Sequence, residues 1–173
     1  MSEKFKWKAR GEKGEGSGKG ACIGELTQPV FLRVAVSKLG GVFILSTLST
    51  ASMEEVAQAA PDSTRWFQLY IYKDRSVTER LVRRAERAGY KALVLTVDAP
   101  VFGNRRAEVR HKFALPSHLR LGNFEDLDHE TSAGITQAKS GSGLQEYTIK
   151  LFDQSVNWKD VEWLKRYYPW QKN

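Results

Sequence analysis

The sequence predicts a parallel α/β fold built from successive βα units. Three observations carry that reading. Short, continuously apolar, β-rich runs recur: Val42-Phe43-Ile44-Leu45, Trp66-Phe67-Gln68-Leu69-Tyr70-Ile71-Tyr72 and Ala92-Leu93-Val94-Leu95-Thr96-Val97. Their centres lie about 25 residues apart, too far for hairpins and right for strand-helix-strand crossovers. Helix-start signals stand between them, and runs without polar alternation suit strands covered on both faces.

Each element has a local cause. Gly40-Gly41 precedes the first run. Ser52-Met53-Glu54-Glu55 has the pattern of a capping box, in which a hydroxyl accepts from a free backbone N–H and the glutamate answers. A helix is therefore expected over Met53–Ala60, stopped by Pro61. Ser76-Val77-Thr78-Glu79 repeats the pattern and predicts a second helix over Val77–Ala88. Val77, Leu81, Val82, Ala85 and Ala88 share one face of it, and Gly89 is its C-terminal cap. After Pro100 the pattern weakens. Residues 101–142 read mostly as a long loop, and a loop of that length in a compact domain is usually functional or mobile. Helices are expected again over about 143–152 and 157–167. In the latter, Val161, Trp163, Leu164 and Tyr167 share a face, and Asn157 with Asp160 marks the start. Three such strands do not close a barrel, since an eightfold barrel usually takes ~250 residues, and an open three-stranded sheet leaves unpaired edges. The sequence reads as part of a larger fold.

Composition narrows the function classes. Hydrophobic residues make up 41% of the chain, enough for a sizeable core. No run approaches the ~20 apolar residues of a membrane span, and the start has no signal-peptide core. A single cysteine, Cys22, precludes an intramolecular disulfide or a cysteine metal cluster and suits a reducing compartment. The net charge of +7 favours anionic partners, but +3 of it lies in residues 1–20, where six Lys/Arg face three Asp/Glu. That segment holds five glycines and little to bury, and reads with its continuation as a disordered basic arm over 1–25. Its glycines 14, 16, 18 and 20 follow no strand, so they make a weak phosphate signal. A basic protein that binds nucleic acid or an acidic surface is an alternative, but nucleic acid is disfavoured because no recognition motif accompanies the charge. His111, His118 and His129 all fall in the long loop at spacings that match no metal site, and are expected in solvent.

In parallel α/β folds chemistry gathers at the C-terminal ends of the strands. That rule selects Ser46 and Thr47 after the first run, Gln68 and Tyr70 in the second, and Thr96 and Asp98 after the third, followed by Gly103-Asn104-Arg105-Arg106. Amide and hydroxyl groups can satisfy the edge of a polar planar ring, and arginine can grip a carboxylate bidentately. Plainer roles stand beside these: a satisfied core amide for Gln68, a turn cap for Asp98, strand packing for Tyr70, surface charge for Arg105.

Taken together, Trp66-Phe67-Gln68-Leu69-Tyr70, Leu95-Thr96-Val97-Asp98-Ala99-Pro100 and Gly103-Asn104-Arg105-Arg106 resemble the FMN-dependent 2-hydroxyacid oxidases, in the glycolate oxidase and peroxisomal hydroxyacid oxidase branch. Leu45-Ser46-Thr47 upstream and Gly143-Leu144 through Trp158-Lys159-Asp160-Val161-Glu162-Trp163-Leu164 downstream agree in order and spacing. The resemblance covers about residues 34–167.

It implies a partial (β/α)₈ barrel domain over 26–168, with a divergent tail over 169–173. It also implies FMN as cofactor and oxidation of a small 2-hydroxyacid by O₂ to a 2-oxoacid and H₂O₂. By position, Ser46, Gln68 and Thr96 would bond the flavin ring. Tyr70 would contact the substrate at its reacting end, Arg105 would bind the substrate carboxylate, and Asp98 would support a protonated catalytic histidine. Leu48 stands where glycolate-preferring members typically carry tryptophan, which implies room for longer hydroxyacids. The family's histidine lies in a segment resembling Ser-Asn-His-Gly, and the 173 residues contain no such segment. The expectation is therefore a chain inactive alone, or a non-catalytic one that associates with a full-length relative. The resemblance implies a peroxisomal family. The chain ends Gln171-Lys172-Asn173, without a peroxisomal tripeptide, which gives a cytoplasmic expectation.

Overall fold

The computed structural model describes residues 36–98, 103–116, 118–124 and 142–167, with the side chain of Tyr167 excepted. The expected arm over 1–25, the tail over 169–173 and His129 lie outside the described residues. The elements in chain order are β1 (Phe43–Leu45), α1 (Met53–Ala59), β2 (Arg65–Leu69), α2 (Arg75–Arg87), β3 (Ala92–Leu95), α3 (Arg106–Arg110), a 3₁₀ turn (Gly122–Phe124), α4 (Gly143–Leu151) and α5 (Trp158–Tyr167). Among the described residues no helix is long and apolar enough to cross a membrane.

The strands form one parallel sheet in the order β1-β2-β3. Phe43 pairs with Arg65, Leu45 with Phe67, and Phe67 with Leu93. Side chains alternate between faces along a strand, so one face carries Phe43, Leu45, Phe67, Leu69, Leu93 and Leu95. Phe67 and Leu69 are fully buried there, in one core with Met53 and Val56 of α1 and Leu81, Val82 and Ala85 of α2. Burying each such side chain stabilises the fold by roughly 1.5–3 kcal/mol. The other face carries Ile44, Ser46, Trp66, Gln68, Tyr70 and Thr96. Ile44 is 46% exposed there.

The first capping box is present as expected. Ser52 Oγ accepts from the Glu55 N–H, and Glu55 accepts from the Ser52 N–H at 2.8 Å. The second is corrected. α2 starts two residues earlier than expected, and Asp74, not Ser76, is its cap, accepting from the Ser76 N–H at 2.9 Å. A carboxylate accepts that N–H and also favours the positive helix start. Thr78 is drawn inward instead, and its hydroxyl accepts from the Tyr72 N–H at 2.9 Å. Gly89 closes α2 with φ +76°, and a Cβ there would meet the Arg65 guanidinium at 2.9 Å. The stretch expected to be mostly loop contains α3 and the 3₁₀ turn. At the start of α5, Asn157 accepts from the Lys159 N–H and Asp160 from the Asn157 N–H, as the sequence suggests.

Arg65 is a buried cation at the N-terminal end of β2. It donates to the carbonyls of Ala60, Pro61, Ser63 and Ala88 and lies over the Tyr90 ring. Arg75 joins Asp153 and Asp160, which fastens α5 to α2.

Candidate functional site

The C-terminal ends of the three strands bring Ser46, Gln68, Tyr70 and Thr96 to one end of the open face. Gln68 is held at both ends of its amide. Its Oε1 accepts from the Thr47 N–H at 3.1 Å, and its Nε2 donates to Thr96 Oγ1 at 2.8 Å. The buried Thr47 hydroxyl donates to the Gln68 carbonyl. Ser46 is exposed, and its Oγ accepts from the Leu48 N–H at 3.2 Å. Leu48 is partly buried against the core.

This arrangement leaves definite hydrogen-bonding capacity. Gln68 has a second N–H and a second lone pair on Oε1, and Thr96, accepting from Gln68, has its own proton to donate elsewhere. Donors and an acceptor side by side match the carbonyl, N–H, carbonyl edge of a pyrimidine-dione ring.

Tyr70 is half-buried and stacks on Phe152, with centroids 4.5 Å apart and planes 21° apart. Burial raises its phenol above the ordinary value. The Asp98 carboxylate adds to the rise and the Arg105 guanidinium opposes it. Tyr70 therefore senses both residues, and stays protonated at neutral pH. Asp98 is exposed. Arg105 precedes α3 and pairs with Glu108 at 2.8 Å, and Glu108 in turn accepts from the Ser142 hydroxyl at 2.9 Å. A small cleft beside Tyr70 and Thr96 is walled by Val97, Phe152, Asp153 and Val156. His111 and His118 are exposed, as expected.

Two contributors are not singled out by the sequence. Phe152 backs Tyr70, and no strand pattern flags it because it joins the extension of β2 only through an isolated antiparallel bridge at Tyr72. Asn123 is fully buried beneath the loop after β1. An asparagine between the apolar Leu121 and Phe124 is its only signal.

The FMN-dependent dehydrogenase family matches residues 25–171. Over 134 residues the chain is 48% identical to 2-hydroxyacid oxidase 1 of Homo sapiens, a match covering 76% of this chain and 35% of that protein. It is 49% identical over 131 residues to glycolate oxidase 1 of Zea mays, covering 76% of this chain and 34% of that one. The chain thus spans about a third of the length of these curated relatives. A crystal structure of mandelate oxidase with (S)-4-hydroxymandelic acid superposes with a TM-score of 0.71 at 30% identity, covering 86% of this chain and 41% of that chain. A soluble mutant of the membrane-associated (S)-mandelate dehydrogenase from Pseudomonas putida gives 0.67 at 32% identity, covering 87% and 41%. The three parallel strands and their helices are part of the barrel these enzymes share, and the chain belongs to the FMN-dependent dehydrogenase family.

Proposed function

We propose that this chain forms the flavin-ring and substrate-carboxylate part of a 2-hydroxyacid oxidase site, whose overall reaction is 2-hydroxyacid + O₂ → 2-oxoacid + H₂O₂. The row Ser46, Gln68, Thr96 across three adjacent strand ends supports it most, because its donors and acceptor match a flavin's pyrimidine edge. FMN, when bound, supplies the two-electron oxidation of the hydroxyl-bearing carbon. Gln68 and Thr96 bond the ring edge and Ser46 adds a hydroxyl beside them. Arg105 takes the substrate carboxylate, in competition with Glu108. Tyr70, a protonated phenol at neutral pH, donates to the substrate at its reacting end. Asp98 favours a cation nearby and so suits a supporting role toward an imidazolium. These residues bind and orient, and proton abstraction falls to none of them. Leucine at position 48, smaller than the tryptophan typical of glycolate-preferring members, favours hydroxyacids longer than glycolate.

The test is a visible absorption scan of the purified chain, followed by FMN titration read by quenching of flavin fluorescence. Saturable quenching supports the reading, and a colourless chain that leaves FMN fluorescence unchanged overturns it. A second reading, association with a full-length relative, draws on the exposure of Ile44 on the open face. Co-elution of the two chains in size-exclusion chromatography would support it.

A further inference from the structure

Asn123 is 0% exposed and lies far in sequence from the groups its side chain holds. Its Nδ2 donates to the carbonyls of Ser46 at 3.3 Å and Thr47 at 3.0 Å, and its Oδ1 accepts from the Met53 N–H at 2.9 Å. The turn that carries it is pressed against the loop after β1. The Gly122 N–H donates to the Ser49 carbonyl at 3.0 Å, and a Cβ on Gly122 would stand 2.6 Å from the Ala51 carbonyl carbon. The Asn123 carbonyl accepts from Arg84 at 2.7 Å, and Arg84 forks onto Glu54 of α1.

The two carbonyls that Asn123 holds belong to consecutive peptide units. A peptide unit is planar, so fixing its C=O fixes the N–H on its other side. The Ser46 carbonyl shares a plane with the Thr47 N–H, which bonds Gln68 Oε1. The Thr47 carbonyl shares a plane with the Leu48 N–H, which bonds Ser46 Oγ. One side chain therefore sets both N–H groups that orient the Gln68 amide and the Ser46 hydroxyl, and Gln68 passes the constraint to Thr96.

We infer that Asn123 is a positioning residue for the ring-binding row: it touches neither flavin nor substrate, and orients Ser46, Gln68 and Thr96 through two peptide planes. The flavin part of this inference rests on the reading above, whereas the orienting of Gln68 does not.

The experiment compares Asn123→Asp and Asn123→Ala by amide hydrogen exchange and FMN titration. Ionised aspartate keeps the acceptor for Met53 and loses both donors, while alanine loses all three bonds. In Asn123→Asp, exchange at Thr47 and Leu48 should quicken at least about tenfold and FMN affinity should fall about tenfold, with α1 and α2 amides unchanged. In Asn123→Ala the first turn of α1 should loosen as well. Equal exchange at Thr47 in wild type and Asn123→Asp, or a uniform rise across α2, would overturn the inference. Should either variant fail to fold, couplings across the hydrogen bonds decide it in the unsubstituted chain. Signals linking Asn123 Nδ2 to the Ser46 and Thr47 carbonyls and the Thr47 N–H to the Gln68 side-chain carbonyl support it, and their absence overturns it. Wild-type protein that fails to quench FMN while showing the exchange pattern would sink the flavin reading and leave the positioning role standing.

Discussion

The two faces of the sheet are built from the same three strands and behave oppositely. On one, Phe67 and Leu69 are sealed in a core shared with α1 and α2. On the other, Ile44 is exposed and Gln68 donates a hydrogen bond to Thr96. Period-two alternation forces this division, because a strand that buries every second side chain presents the intervening ones together. Stability is concentrated on one face and chemistry on the other, so substitutions one residue apart should separate the two properties.

The largest contrast is expected between Phe67 and Ile44. Phe67→Ala should cost about 3–5 kcal/mol in urea unfolding and Ile44→Ala under about 1 kcal/mol, and equal losses would break the comparison. Next, Gln68→Leu should weaken FMN binding by roughly ten- to a hundredfold while costing about 1–3 kcal/mol in unfolding, less than Phe67→Ala, since it removes two hydrogen bonds and leaves the Thr47 N–H without its partner. A large stability loss with intact binding would reverse the assignment of that face. Ser52→Ala removes the cap of α1 and should cost about 1 kcal/mol, read from thermal unfolding.

The smallest effect is in acid. Hydrogen bonds from Ser155 hold the Asp153 carboxyl below its ordinary range, and Arg75 adds to this. A carboxyl depressed on folding stabilises the protein above its unfolded value of ~3.9 and loses that contribution as pH falls through the folded one. The stability gap between wild type and Asp153→Asn should therefore shrink below about pH 4. A gap independent of pH would show that charge is not its origin.

Apolar runs and caps report local rules, so β1 to β3, α1, α4 and the start of α5 were legible from residues within a few positions of each other. The strand-end rule likewise brought Ser46, Gln68 and Thr96 together. What escaped is not written locally. Asp74 and Ser76 both have the chemistry of a helix cap, and only the folded chain shows which of them ends up outside the first turn. Asn123 and Phe152 act across 70 or more residues of chain, a separation over which periodicity is silent.

Arg65 gives the molecule an electrical polarity along its strands. α1 and α2 both finish beside it, with the carbonyls of their capping residues Ala60 and Ala88 turned onto its guanidinium. Helix ends carry partial negative charge, and a cation placed there offsets it. That pole of the molecule is thus neutralised from within, by one buried guanidinium shared between two helix ends. The opposite pole is built differently, because there a carboxylate, Asp98, and a guanidinium, Arg105, act on one phenol, Tyr70, with opposite sign.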